Sequence, residues 1–134
     1  MKIIDGKNAT LGRLASYVAK EVLKGEEIAI VNCEDVIITG NKKSIKENFE
    51  AKRKRVGSTQ KGPKVSRTSE KIVKTAIRGM LPNYRLGRGR VAFKRVKCYA
   101  RIPKEFEEAK KITAGISKLQ SKMIRVKEIT KWAR

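Results

Sequence analysis

In the stretch RGMLPNYRLGRGR (residues 78–90), Arg78, Arg85, Arg88 and Arg90 stand around Gly87 and Gly89. Guanidinium groups beside glycines suit the neutralisation of phosphates. Glycine lets the backbone come close to a phosphate while the arginines reach outward. The string Gly87-x-Gly89-x-x-Ala92 also imitates a dinucleotide-binding loop. That loop needs a strand directly before it and a helix packed behind it. Here Leu81-Pro82-Asn83-Tyr84 precedes it, which reads as a turn. A merely solvated basic turn is the plain alternative. An arginine–glycine turn also suits the minor groove of DNA, but no recognition helix, zinc finger or heptad basic region accompanies it.

Other chemistry finds little support. Gly6-Lys-Asn-Ala-Thr-Leu-Gly12-Arg13 has one residue too many between its glycines for a phosphate loop, and Gly40-Asn-Lys-Lys-Ser44 lacks the first glycine. The chain has no histidine, so the commonest general base is missing. Asp5, Glu34 and Asp35 are the carboxylates that strand ends could gather, yet Glu34 and Asp35 are sequence neighbours. Cys33 and Cys98 stand alone in apolar runs without C-x-x-C spacing, and read as two buried thiols. The chain is read as no enzyme, with no catalytic, metal or cofactor residues and no small-molecule substrate.

Charge points the same way as the arginines. The 134 residues carry a formal charge of +21. Residues 1–50 hold 8 basic and 8 acidic residues, whereas residues 51–100 hold 16 basic residues and the single acid Glu70. Such an excess destabilises a compact chain unless a polyanion neutralises it. A membrane surface would want a basic helix with a bulky apolar face. The only Trp is Trp132, and residues 51–71 have few large apolar groups. No stretch approaches a membrane span, and the N-terminal MKIIDGKNATLGRLAS lacks a signal peptide's apolar run. Nucleic acid is the favoured partner. The aromatic residues do not interleave with the cations as a stacking platform would require, and only Tyr84 lies among them. Folded RNA, held by backbone and shape, fits better than a single strand.

The elements that must position these cations follow from periodicity. Apolar residues make up 40% and aromatics 5%, the diet of helices packed on a sheet. Lys2–Asp5 reads as a strand. Leu11, Leu14, Ala15, Val18, Val22 and Leu23 recur at helical spacing, with Thr10 or Asn8 as cap and Gly25 as stop. The continuous apolar run Ile28–Cys33 is a second strand, which completes a parallel βαβ unit. Val36–Thr39 is a further strand whose place the sequence leaves open. Asn41 or Ser44 starts a helix with Ile45, Phe49 and Ala51 inward. The pattern dissolves into a basic loop over 52–67, KRKRVGSTQKGPKVSR. Thr68 or Ser69 caps the next helix, whose buried face is Ile72, Val73, Ala76, Ile77 and Met80. Lys71, Lys74 and Arg78 form a basic stripe on another face. Gly79 and Pro82 end it. Val91–Lys94 is a helical turn, Val96–Ala100 a strand, and Pro103–Lys111 a helix with Glu105, Glu107 and Glu108 near its positive end. Residues 112–134 read as irregular, with a short strand near Met123–Val126 and a short terminal helix. The phosphate-binding candidates are Lys52, Arg53, Lys54, Arg55, Lys61, Lys64 and Arg67 of the loop, Lys71, Lys74 and Arg78 of the stripe, and Arg85, Arg88 and Arg90 of the turn.

The segments TLGRLAS (10–16), IVNCEDVIITGNK (30–42), RGMLPNYRLGRGR (78–90) and FKRVKCYA (93–100) resemble the universal thirteenth protein family of the large ribosomal subunit, in its archaeal or eukaryotic form. The link from Gly25 to Ile28 is short, where bacterial members are longer, and Gly87 and Arg88 keep the family's RGMLP-x-x-x-x-G-R frame. The resemblance implies an α/β fold, a three-layer α/β/α sandwich around a four-stranded, mainly parallel sheet in the order 3-2-1-4. It implies one domain over 1–134 with a variable extension over 101–134. It also implies a structural role in the cytoplasm: binding large-subunit ribosomal RNA early in assembly, among neighbouring large-subunit proteins. Some relatives bind messenger RNA and repress translation. A free RNA- or DNA-binding protein is the alternative.

Overall fold

The computed structural model describes residues 1–58, 62–116, 118 and 121–132. Four strands form an all-parallel sheet: β1 (Lys2–Asp5), β2 (Ile28–Val31), β4 (Val96–Cys98) and β5 (Ile112–Thr113), in the spatial order β4-β2-β1-β5. Numbered within this sheet alone, that is the expected order 3-2-1-4. Lys2 pairs with Ile28 and Asp5 with Val31, so β1 and β2 run in register across the crossover helix α1 (Leu11–Leu23).

The side chains of β1 and β2 alternate between two faces. Ile4, Ile28 and Ile30 enter the main core with Leu14, Val18 and Val22 of α1. Val73 and Ile77 of α3 (Ser69–Met80) and Ala92 of α4 (Gly87–Lys94) join the same core. Ile3, Ala29 and Val31 point the other way, against Tyr99, Ile102, Phe106 and Ala109. The result is a three-layer α/β/α arrangement whose second outer layer is thin. The helix expected over Pro103–Lys111 is only a 3-10 turn, Lys104–Phe106. Two or three apolar contacts are too few to hold a longer helix, because a short helix owes its stability to a packed face.

The strand at 36–39 does not join this sheet. A 3-10 turn at Cys33–Asp35 carries the chain out of it. β3 (Ile37–Thr39) then pairs antiparallel with β6 (Met123–Arg125), with Ile38 opposite Ile124. β6 runs into α5 (Val126–Trp132), whose Ile129 is buried. α2 (Lys42–Lys54) buries no residue at all.

Candidate nucleic-acid interface

The interface begins with α3. Val73 and Ile77 sink into the core, which turns the opposite side of the helix outward. Met80, expected inside, is the last residue of the helix and is 45% exposed. Lys71 is exposed, while Lys74 and Arg78 are half-buried. The heads of Lys74 and Arg78 are set by aromatic rings. Lys74 Nζ lies 5.0 Å from the centre of the Phe93 ring, and Arg78 Cζ lies 4.8 Å from that of Tyr84. Arg85 Cζ stands 5.5 Å from the same Tyr84 ring, and its Nε donates to the Tyr84 hydroxyl at 3.2 Å. The two rings meet edge to face at 6.0 Å. Cation–ring attraction at these separations is worth about 0.5–1 kcal/mol at exposed sites. It orders side chains that would otherwise sweep a wide volume. The Arg85 hydrogen bond also lowers the Tyr84 pKa from its ordinary value, since it favours the phenolate. The basic stripe and the arginine segment, read separately in sequence, are therefore one surface joined by Tyr84 and Phe93.

The chain between them is built for a sharp reversal. Leu81, ahead of Pro82, is extended at φ −89° and ψ 154°, as a residue before proline must be. The Asn83 side chain accepts from the Arg85 backbone N–H at 3.1 Å, and the Leu86 N–H reaches the Asn83 carbonyl at 3.3 Å. Gly87 then takes φ +60°, a conformation costly for other residues. Contrary to expectation, the turn stops there. Gly87–Lys94 is a helix, so Arg88 and Arg90 project from its first turn rather than from a loop. Two glycines argue against a helix locally, but burial of Gly89 and Ala92 overrides propensity. A Cβ on Gly89 would lie 2.4 Å from the Pro82 carbonyl oxygen, so only glycine lets α4 close on this turn. What precedes Gly87 is that turn and not a strand, which leaves the dinucleotide imitation without its frame.

The basic loop is also shorter than expected. Lys52, Arg53 and Lys54 form the last turn of α2, and Arg55 caps it in an extended conformation. Lys and Arg are good helix formers, and cations in a last turn complement the helix dipole. Asn41 starts this helix by accepting from the Lys43 N–H at 3.0 Å. Three contacts with α5 and its tip hold the helix. Lys42 pairs with Glu128 at 2.8 Å, Lys46 lies 5.5 Å from the Trp132 ring, and Arg53 donates to the Trp132 carbonyl at 3.5 Å. Lys64 and Arg67 are exposed on the remaining loop, and Lys61 lies outside the described residues.

The acids are spent elsewhere. Asp5 accepts from Asn32 Nδ2 at 2.8 Å, Glu34 pairs with Arg101 at 3.4 Å, and Asp35 pairs with Arg125 at 3.1 Å. These three carboxylates thus serve separate contacts. Among the described residues, no ion pair involves the candidate cations of α2's last turn, the loop, α3 or α4. Cys33 is buried, but Cys98 is only half-buried. Its neighbour Cys98 and its burial both push the Cys33 thiol up, so it is not a poised nucleophile. No helix among the described residues is long and apolar enough to cross a membrane.

Sequence reasoning missed Phe93 and Tyr84 as organisers of the cations. Their signal was the spacing of Tyr84 and Phe93 on either side of the glycines, legible only once α4 is known to be helical.

The sequence has relatives with which this geometry can be compared. Residues 1–105 match the family described as ribosomal protein L13. Large ribosomal subunit protein uL13 of Methanopyrus kandleri is 50% identical over 107 residues, which are 80% of this chain and 66% of that protein. The protein of the same name from Methanocaldococcus jannaschii is 46% identical over 134 residues, which are 98% of this chain and 96% of that one. The Methanosarcina barkeri protein is 40% identical over 135 residues, with 97% and 95% covered. A family match over residues 1–105, which hold three of the four parallel strands and the whole cation-bearing segment from α2 to α4, together with a relative 46% identical over nearly the full chain, places this chain in the ribosomal protein L13 family.

Proposed function

We propose that the chain is a structural constituent of the large ribosomal subunit in the cytoplasm, and that it organises large-subunit ribosomal RNA through the surface described above. It is a structural component rather than an enzyme. One observation carries the RNA reading: Lys74, Arg78 and Arg85 are held against the Phe93 and Tyr84 rings and lack carboxylate partners among the described residues. Cations so arranged neutralise phosphates and release counterions. Arginines can also hold two phosphates at once, which ties neighbouring RNA helices together. Lys52, Lys54, Arg55, Lys64, Arg67, Lys71, Arg88 and Arg90 extend the same field. Binding early in assembly belongs to the proposal, because a charge of +21 is relieved only when a polyanion covers it. Neighbouring large-subunit proteins are its other partners.

The test is the triple substitution of Arg85, Arg88 and Arg90 by Gln. Affinity for large-subunit ribosomal RNA should fall, and the log–log salt slope should become shallower by about 2–3, if each arginine contacts one phosphate. An unchanged slope refutes these contacts. Sedimentation of native extract tests the particle: the chain should stay in the large-subunit peak through a high-salt wash.

A further inference from the structure

A groove of about 480 Å³ runs between α2, the segment Pro63–Ser66 and α3, and the phosphate contacts above leave it unused. Its floor is apolar. Phe49 of α2 lines it together with Ile72 and Ala76 of α3, which lie one turn apart. Its edge is polar: the Ser66 and Thr75 hydroxyls are 3.3 Å apart, and Thr75 donates to the Lys71 carbonyl at 2.7 Å. Its rim is cationic, with Lys52, Lys64 and Arg78, and no carboxylate among the described residues lines it. Arg78 also lies on the Tyr84 ring, so one residue links the groove to the arginine-bearing surface.

We propose that this groove receives one unstacked nucleobase of the bound RNA. The inference rests on the reading of the chain as a ribosomal RNA binder and names what that RNA inserts. A base has an apolar face and a polar edge, and it carries a phosphate on either side. The groove offers an aromatic side chain for the face, hydroxyls for the edge, and cations where flanking phosphates would lie. Folded RNA is read by proteins mainly where its bases are splayed out and stacked on aromatic side chains. The volume lies in the range of clefts that bind small molecules, and so has room for one base. A second copy of this chain, at +21, would be repelled by the rim.

The experiment uses the full chain with its own large-subunit ribosomal RNA, against transfer RNA as competitor. Phe49→Ala removes the ring, and Ala76→Leu fills the groove from the other side. Neither changes charge. Each should weaken binding about tenfold, in keeping with the loss of one stacked base, while the salt slope stays as in the wild type. Phe49→Tyr, which keeps a ring, should restore affinity. Circular dichroism checks that both variants keep their helices. Irradiation of native large subunits at 254 nm should attach a nucleotide to a peptide containing Phe49 or Ile72–Ala76. Wild-type affinity in either variant overturns the proposal, as does a photoproduct joining the groove to another protein's peptide. Failure of the wild type to prefer large-subunit RNA over transfer RNA would instead overturn the parent reading.

Discussion

At the scale of single residues, two of the glycines beside the arginines do opposite things. Gly89 is a contact residue: the Cβ it lacks would press on the Pro82 and Asn83 carbonyl oxygens at 2.4 and 2.5 Å. Gly79 sits inside α3 with nothing within 4 Å of its missing Cβ. Gly89→Ala should therefore cost about 1–3 kcal/mol through backbone displacement. Gly79→Ala should stabilise by about 0.4–1 kcal/mol through the unfolded chain. Urea denaturation of the pair checks both signs, and equal effects would contradict this account. Glu21 is the residue to watch in acid. It accepts from Lys2 at 2.7 Å and from Lys24 at 2.8 Å, bonds that lower its pKa from 4.5 to about 2. A depressed carboxylate favours the folded state above its unfolded value, and that contribution is lost as pH falls through the folded one. The thermal midpoint should thus drop between pH 4.5 and 2, and Glu21→Gln should flatten that part of the curve.

At the scale of elements, α1 and α2 have the same length but different standing. α1 packs Leu14, Ala15, Val18 and Val22 into the core, whereas α2 buries nothing and leans on α5. Local opening free energy follows buried apolar contact. Backbone amides of α2 should exchange with solvent far faster than those of α1, and RNA should slow α2 while leaving α1 unchanged. Hydrogen exchange followed by mass spectrometry reads this directly. Comparable protection of the two helices in the free protein would show that α5 holds α2 more firmly than its contacts suggest. A mobile α2 bearing Phe49 and Lys52–Lys54 suits a binding edge, which must adjust to RNA while α1, α3 and the sheet stay fixed.

For the whole molecule, the division of labour is electrostatic. The first 50 residues are charge-balanced, and ion pairs such as Lys2–Glu21 belong to them. The next 50 carry 16 basic residues and one acid, and residues 101–134 carry 10 and 4, so the middle of the chain holds most of the unbalanced charge. Free protein should therefore gain stability with salt, because screening weakens repulsion among the cations of α2, the loop, α3 and α4. Its thermal midpoint should rise between 0.05 and 0.5 M salt, as scanning calorimetry would show, whereas RNA affinity falls over the same range. A midpoint that fell with salt would mean that ion pairs, not repulsion, dominate the free chain.

Much of this was legible in the residues. The βαβ start followed from helical spacing in Leu11–Leu23 between two apolar runs, because periodicity reports which side of an element is buried. The location of the proposed binding surface rests on charge, since a polyanion rewards such an excess. Three things needed tertiary contacts. Ile37–Thr39 left the main sheet for β6, a partner more than 80 residues away, and no local pattern encodes a partner at that distance. Lys52–Lys54 became helical, and the helical turn expected at Val91–Lys94 extended back to Gly87. For α4 the cause is the packing of Gly89 and Ala92 against the rest of the chain, an energy that local propensity does not contain. And the cations became one surface only when Tyr84 and Phe93 met, because the positions of ring and guanidinium are set by the fold that brings α3 and α4 together.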